Sequence, residues 1–357
     1  MIANYEPELL RRVYQFRYQI YVKEFGFDHP DAHHASGEIY DELDNFSTTY
    51  ALIDENRRIS ATLRCSILVD LPNSTSQLEK FSMKPFVERF GIDAIGTTSR
   101  FMFAPDKRRS VEIFKLISAS IKLASSRGVR FNFGDTNTIW LNYFERLGYR
   151  RYDEPLNDPV FGYHLPIVMI IRDLQYLRKA NSPLMRYLRP EDDDAEGRHW
   201  FSERFGHFGP LSPLTRAPEE IEVALKIAKV EVSALLKSTF GSLPNSLQKE
   251  ILEISSIVEA KKGDALTRID EVDDTMFVCL SGFFIQIADG VPPKVFKPGS
   301  CFAVDEFLSG ERRRTRFVAG VDSAFLVMPS RHVRRWLLRY GETFEAWLNY
   351  GPSAVDG

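Results

Sequence analysis

The sequence predicts an α+β protein. A mixed sheet with flanking helices fills the first half, a helical connector follows, and an antiparallel β-barrel or jelly roll ends the chain. Three observations predict it. Up to Ile171, apolar residues at helical spacing alternate with runs of β-branched residues. Between Leu174 and Gly241 the composition shifts to an acidic run, Glu191-Asp192-Asp193-Asp194, and a Pro/Gly-containing stretch from Gly206 to Pro218. After Gly263, short apolar runs are punctuated at Gly263-Asp264, Ser281-Gly282, Asp289-Gly290 and Pro298-Gly299, a spacing of short strands and turns.

The elements follow in order. Leu9, Leu10, Val13, Phe16, Ile20 and Tyr21 recur at helical spacing, so residues 5–27 are expected to be a helix that stops at Gly26. A polar loop rich in His and Asp occupies 28–47. Thr49–Asp54 and Ile59–Val69 read as strands joined by the turn Asp54-Glu55-Asn56-Arg57-Arg58, and Thr97–Phe103 reads as a third. A helix is expected from Arg108 to Arg127, with Ile113, Ile117, Ile121 and Ala124 on one face and Gly128 as its C-terminal cap. Then come a strand at Val129–Phe133, a helix at Thr138–Leu147 ending at Gly148, and strands at Tyr149–Tyr152 and Tyr163–Ile171. Glu219–Leu236 has helical periodicity, and a last helix is expected from Ser330 to about Tyr340. The implied domains are 1–175, 176–241 (the connector) and 242–357.

Composition excludes several classes. With 357 residues, 46 basic against 49 acidic side chains and a net charge of −3, the chain has no excess of positive charge for a nucleic-acid coat or polybasic membrane binder. Neither the N-terminal sequence nor any apolar run reads as a signal peptide or membrane span, so a cytoplasmic protein is expected. Cys65, Cys279 and Cys301 are too far apart for a zinc ribbon or a disulfide framework and read as buried thiols. His29, His33 and His34, with Asp28 and Asp31, match no compact metal pattern. They are expected to form a polar lid, and no metal or bound cofactor is expected. The 27 phenylalanines supply core and, in part, the lining of an apolar tunnel.

Tyr143-Phe144-Glu145-Arg146-Leu147-Gly148-Tyr149-Arg150 resembles the closing helix–strand signature of GNAT-fold acyltransferases. Upstream lie Arg17 and Tyr21 four apart, Asp41 and Asp44 three apart, Arg64 on a strand, and Ser99-Arg100-Phe101. That ordered set resembles the GNAT branch containing acyl-homoserine-lactone synthases and N-acyl amino acid synthases, over about residues 8–175. In lactone synthases a Glu stands three residues before the arginine of the Ser-Arg pair. Here it is Thr97, and Phe27 stands nearest the place of an early-loop Trp. The resemblance implies transfer of a fatty acyl group from a thioester to a small amine, and the missing Glu shifts the expected acceptor from S-adenosylmethionine toward an amino acid. The loop Pro105-Asp106-Lys107-Arg108-Arg109-Ser110 has no glycines to bring backbone N–H groups against a pyrophosphate. The expected donor is therefore an acyl carrier protein, with a CoA thioester the alternative, and Lys107, Arg108 and Arg109 are candidate carrier contacts.

Acyl transfer needs a neutral amine and a stabilised tetrahedral oxyanion. Asp41, Asp44, Ser99 and Arg100 are the candidate catalytic residues. The aspartates would hold the amine, directly or through a water that takes its proton, and a backbone N–H near Arg100 with Ser99 would meet the oxyanion. Arg17, Tyr21, Arg64, Thr97 and Phe101 are the candidate substrate-binding set: Arg64 and Arg100 would pair with an acceptor carboxylate, and Arg17 would organise the aspartate loop. A structural set of ion pairs pinning the loop is the competing reading.

Gly263-Asp264-Ala265-Leu266, Met276 to Gly282 and Pro298-Gly299-Ser300-Cys301-Phe302 resemble the cyclic-nucleotide-binding domain over about 242–340. The family's next Gly and ribose-binding Glu are here Ala303 and Val304. Arg313 falls at the phosphate arginine without its preceding Pro. Arg313, Thr315 and Glu306 are the candidate anion- or nucleotide-binding residues, and the domain is expected to be regulatory, structural or dimerising. Nothing after Tyr340 reads as a helix-turn-helix, so no nucleic-acid partner is expected.

Overall fold

The computed structural model describes residues 4, 6–107, 113–212, 220–227, 239–270, 275–309, 311–328 and 330–350. The chain divides into two units: 1–135 with 147–153 and 166–203, and 136–146 with 154–165 and 204–357. The architecture is mixed α+β, with a mixed sheet and helices followed by two antiparallel sheets.

The first unit begins with α1 (Pro7–Tyr18), which has proline in its first turn, where a missing N–H costs nothing. Leu9 and Val13 are buried against Ala51 and Ile59. The helix then widens into a π-helical segment, Gln19–Glu24, in which the N–H of Phe25 reaches the carbonyl of Ile20. The expected loop 28–47 contains a small hairpin, β1 (Ala32–His33) with β2 (Glu38–Ile39), and a 3₁₀ turn, Glu42–Phe46.

The main sheet is built from β3 (Thr48–Ile53), β4 (Ile59–Ile67), β5 (Ile95–Phe103), β6 (Phe131–Thr136), β7 (Tyr149–Arg151), β8 (Leu156–Asp158) and β9 (Gly162–Ile170). Its order is β3-β4-β5-β6-β9-β7, with β8 on β9. β3/β4 and β4/β5 are antiparallel, and β5/β6 is parallel. Every residue of β4 is buried, as a central strand covered on both faces requires.

Helices α2 (Thr75–Lys80) and α3 (Lys84–Phe90) lie between β4 and β5, where the sequence showed no pattern. α2 has no buried residue and α3 buries only Phe86, so neither is long or amphipathic enough to stand out. Phe86 meets Phe131, Phe133 and Trp200 edge-on at 4.8–5.2 Å.

The described part of the next helix, α4, is Ile113–Ser126; residues 108–112 lie outside the described residues. β6 starts at Phe131 rather than Val129, because the N–H of Val129 still bonds back to the carbonyl of Ala124 and completes the helix end. α5 (Thr138–Leu147) ends at Gly148, whose φ is +116°. A Cβ there would sit 2.1 Å from Leu177 Cδ2, so glycine is required both by the turn and by the packing.

Within the expected connector, α6 (Leu174–Lys179) and α7 (Ala195–Phe205) are regular helices, and the acidic run is organised. Asp193 pairs with Arg198, and Asp194 with Arg130. Of Glu219–Leu236, Glu220–Ile227 is described and is helix α8.

The second unit carries helix α9 (Asn245–Ile254) and two antiparallel sheets. One is ordered β10 (Ser256–Ala260), β16 (Ser323–Met328), β11 (Met276–Ser281), β14 (Cys301–Phe302). The other is β13 (Val291–Phe296), β12 (Phe284–Ala288), β15 (Arg316–Ala319). Phe277, Phe284, Phe296, Phe302, Phe317 and Phe325 fill the core of this unit, so much of the phenylalanine content is packing. A short helix, α10 (Val304–Ser309), follows β14. The last helical stretch, α11, is Ser330–Tyr350: the expected helix ends at Gly341, which adopts a non-helical φ of +47°, and a second helical segment follows that kink. Phe344, Trp347 and Leu348 are buried beyond that break. Among the described residues no helix is long and apolar enough to cross a membrane.

Candidate functional site

Asp41 and Asp44 are positioned by the 3₁₀ turn they open. The Asp41 side chain accepts the N–H of Leu43, while Asp44 Oδ2 accepts the N–H of Asp41 at 3.0 Å, a reciprocal capping box. Arg17, at the end of α1, sends Nη1 to both oxygens of Asp44 at 2.9 Å, with both side chains wholly buried. Its Nη2 lies 3.5 Å from Thr49.

Arg64, buried on β4, directs Nη1 to Asp41 Oδ1 and lies 3.2 Å from Asp44 Oδ2. Its Nε donates to Ser99 Oγ at 3.1 Å, which leaves the serine hydrogen to point elsewhere. Arg64 and Ser99 are opposite each other in the β4/β5 ladder. Immediately after them the register slips between Thr62 and Arg64, and Arg100 takes φ +52°. A left-handed conformation is costly for a side chain with a Cβ, and such outliers concentrate at working sites. The bulge turns Arg100 out of the strand alternation and onto the loop: Nη2 is 2.7 Å from Asp41 Oδ2 and 2.6 Å from Asp31 Oδ2, and Nη1 is 2.6 Å from His29 Nε2.

Three arginines and three aspartates therefore form one charge-balanced cluster, in which Asp41 bridges Arg64 and Arg100 and Asp44 bridges Arg17 and Arg64. Burial pushes the Asp41 carboxyl up, but Arg64 and Arg100 together outweigh it and hold the pKa down at about 2. Burial also works against the charge of Arg100, and Tyr21, Asp41 and Asp31 more than offset it, so its pKa is raised. For Arg17 burial prevails and its pKa is lowered in spite of Asp44. Tyr21, in the π-helical segment, stacks on His29 with ring centroids 5.5 Å apart, and burial raises its pKa.

The structure thus brings together Arg17, Asp41, Asp44, Arg64, Ser99 and Arg100, with Tyr21 reaching the cluster through His29. Thr97 is buried on β5, paired with Ser66 across the ladder and with Phe133 on β6. Phe101 packs edge-on against Phe103 at 4.4 Å. Lys107 ends the short turn Pro105–Lys107 and is half-buried; Arg108 and Arg109 lie outside the described residues. The sequence reading missed the roles of His29 and Asp31, which it assigned only to a lid. Both grip Arg100, and the Asp and His on either side of Pro30 were the available signal.

Pairing of β5 with β6 runs only from Ile95↔Phe131 to Thr97↔Phe133, although both strands continue. The pairing stops just before Ser99 and Arg100, which leaves this edge of β5 without a β6 partner in the ladder.

In the second unit, Arg313 is wholly buried and donates to the backbone carbonyls of Ala303, at 3.0 Å, and Thr275. Glu306 lies 3.6 Å from Arg313 and accepts the Thr315 hydroxyl at 3.1 Å. The three candidate anion-binding residues do meet, but the guanidinium is engaged by the protein itself. Ala303 has φ +61°, which turns its carbonyl onto Arg313. Arg312 and Arg314 are exposed, with Arg314 paired to Glu311. Among the described residues no group of His, Cys, Asp and Glu is arranged to hold a metal ion.

No protein-family model and no curated protein matches this sequence. Solved structures similar to it include acyl-homoserine lactone synthases over half the chain and cyclic-nucleotide-binding domains over its C-terminal part. TofI, solved in a ternary complex with an inhibitor and MTA, is 18% identical over 50% of this chain and 92% of its own, with a TM-score of 0.38. MesI, a CoA-dependent acyl-homoserine lactone synthase, is 18% identical over 50% and 88%, with a TM-score of 0.40. A putative cyclic nucleotide-binding protein from Geobacter metallireducens GS-15 is 15% identical over 34% and 92%, with a TM-score of 0.29.

Proposed function

We propose that the chain is an N-acyltransferase that moves a fatty acyl group from an acyl carrier protein thioester, or a CoA thioester, to the amine of an amino acid or similar small amine. The C-terminal domain is its regulatory or assembly partner. The observation that carries the reading is the position of the Arg64–Asp41–Arg100 cluster, with Ser99, where the β5/β6 pairing stops.

The edge of β5 left without a β6 partner suits the extended, amide-bearing arm of a thioester, which pairs with a strand as another strand would. The amine nitrogen attacks the thioester carbonyl, a C–N bond forms, and the C–S bond breaks as the tetrahedral intermediate collapses. Asp41, ionised throughout the neutral range, holds and orients the amine. With a pKa of about 2 it is a weak base, so the amine proton passes to a water at the cluster. The Ser99 hydroxyl, accepting from Arg64, keeps its hydrogen to donate to the oxyanion beside the Arg100 backbone N–H. The thiol leaves with the proton.

Purified protein incubated with acyl carrier and CoA thioesters and each of the twenty amino acids is expected to give an N-acyl product by mass spectrometry. Absence of product with every donor would reject the reading.

A second reading, a sensor that binds an acyl ligand without turnover, is favoured by one observation: each arginine of the cluster is already held by a carboxylate of the same cluster. Thermal shifts with acyl thioesters but no product would support it. Gating by a cyclic nucleotide has less support, because Arg313 is turned onto the carbonyls of Ala303 and Thr275.

A further inference from the structure

The six charged members of the cluster are not held equally. Asp44 is wholly buried, receives both Arg17 and Arg64, and closes the capping box. Asp41 uses one oxygen on Arg64 and the other on Arg100 while capping the turn. Asp31 is anchored differently. Its Oδ2 meets Arg100 Nη2 at 2.6 Å, and its side chain is 32% exposed, against 19% for Asp41 and 1% for Asp44. It stands just ahead of the β1–β2 hairpin, and its N–H donates to His29 Nδ1 at 3.1 Å. His29 is fixed: it is buried, stacked on Tyr21, and in contact with Arg100 through its other nitrogen.

We propose that Asp31 is an internal stand-in for the acceptor's carboxylate, and that a ligand bearing an α-amino carboxylate binds by displacing it from Arg100. The partners of Arg100 decide the ligand class. Arg100 already holds the carboxylates of Asp31 and Asp41, so a further carboxylate beside them meets like charge and gains the guanidinium only by exchange with one of them. A carboxylate that replaces the Asp31 carboxylate keeps the balance at Arg100, and the released Asp31 moves to water, where it is already one-third exposed. The amine one carbon away from that carboxylate then falls beside Asp41, which shares Arg100 Nη2 with Asp31. An amine without a carboxylate gives Asp31 no reason to leave. The proposal rests on the acyl-transfer reading only for what happens to the bound amine; the exchange itself is a binding event.

Exchange of this kind lowers apparent affinity by the fraction of molecules in which Arg100 is available. Removing the Asp31 charge should therefore tighten binding of free carboxylates and give their esters no gain. The test is calorimetric titration of glycine, L-leucine and L-phenylalanine, and of their methyl esters, into the full-length wild type, Asp31→Asn and Asp31→Ala, with circular dichroism to verify folding. At least one free amino acid is expected to bind both variants about tenfold more tightly than wild type, with no gain for the esters. Equal affinities for wild type and variants, an equal gain for the esters, or no binding to any of the three proteins would overturn the proposal. Product formation, measured separately by mass spectrometry, distinguishes the two readings. Tighter binding without product keeps the exchange and rejects transfer; product without any gain keeps transfer and rejects the exchange.

Discussion

Arg17 and Asp44 form a buried ion pair in which one guanidinium nitrogen lies 2.9 Å from both carboxylate oxygens. The pair ties the end of α1 to the turn that carries Asp41. On the proposed reading Arg17 is a positioning residue, one remove from the thioester chemistry.

Breaking this pair should be costly. Arg17→Ala leaves Asp44 buried with Arg64 as its remaining cation, and a loss of about 3–5 kcal/mol is expected in denaturant unfolding. The double variant Arg17→Met/Asp44→Leu, which removes both charges, should lose less than the single one.

Arg100→Ala should remove acyl transfer while the protein remains folded by circular dichroism. A fall in kcat/KM of about 100-fold or more is expected where an arginine both binds and orients. Arg100→Lys keeps the charge but not the fork that spans His29, Asp31 and Asp41, and should recover only part of the activity. Full activity in Arg100→Ala would show that the acceptor is bound elsewhere.

The depressed Asp41 carboxyl makes a prediction about acid. Its folded pKa of about 2 lies below the unfolded value near 3.8, so its stabilisation is complete above about pH 4 and is lost as pH falls toward 2. The difference corresponds to about 2 kcal/mol. Unfolding free energies measured from pH 5 down to pH 2 should fall through that window in the wild type and less steeply in Asp41→Asn.

Arg313 is expected to act as a structural tie. Cyclic AMP and cyclic GMP should give no thermal shift with the wild type, and Arg313→Met should lower the melting temperature by orphaning the carbonyls of Ala303 and Thr275. A nucleotide-dependent shift that is abolished in Arg313→Ala would instead establish a working anion site.

Much of the fold was legible in the sequence because its signals are local. Periodicity marked α1, α4 and α5, β-branched runs marked β3 and β4, and the glycine after Leu147 stood where φ is positive. Asp41 and Asp44, read in the sequence only as site candidates in a loop, also form a capping box there. Helices α2 and α3 went unread because they bury a single side chain between them and leave little pattern.

Local sequence signals were enough for most of the elements, for Arg17, Asp41, Asp44, Arg64 and Arg100 as site candidates, and for the departure at Ala303 and Val304 from the pattern the C-terminal part resembles. How those charges are shared depends on the folded chain. His29 and Asp31 reach Arg100 across 71 and 69 residues of chain, and Arg100 reaches them because a slip in the β4/β5 register rotates it out of the strand alternation. The reason is physical. Backbone preference and apolar spacing are properties of neighbouring residues, whereas a buried ion must be matched by whichever opposite charge the folded chain brings within about 3 Å of it.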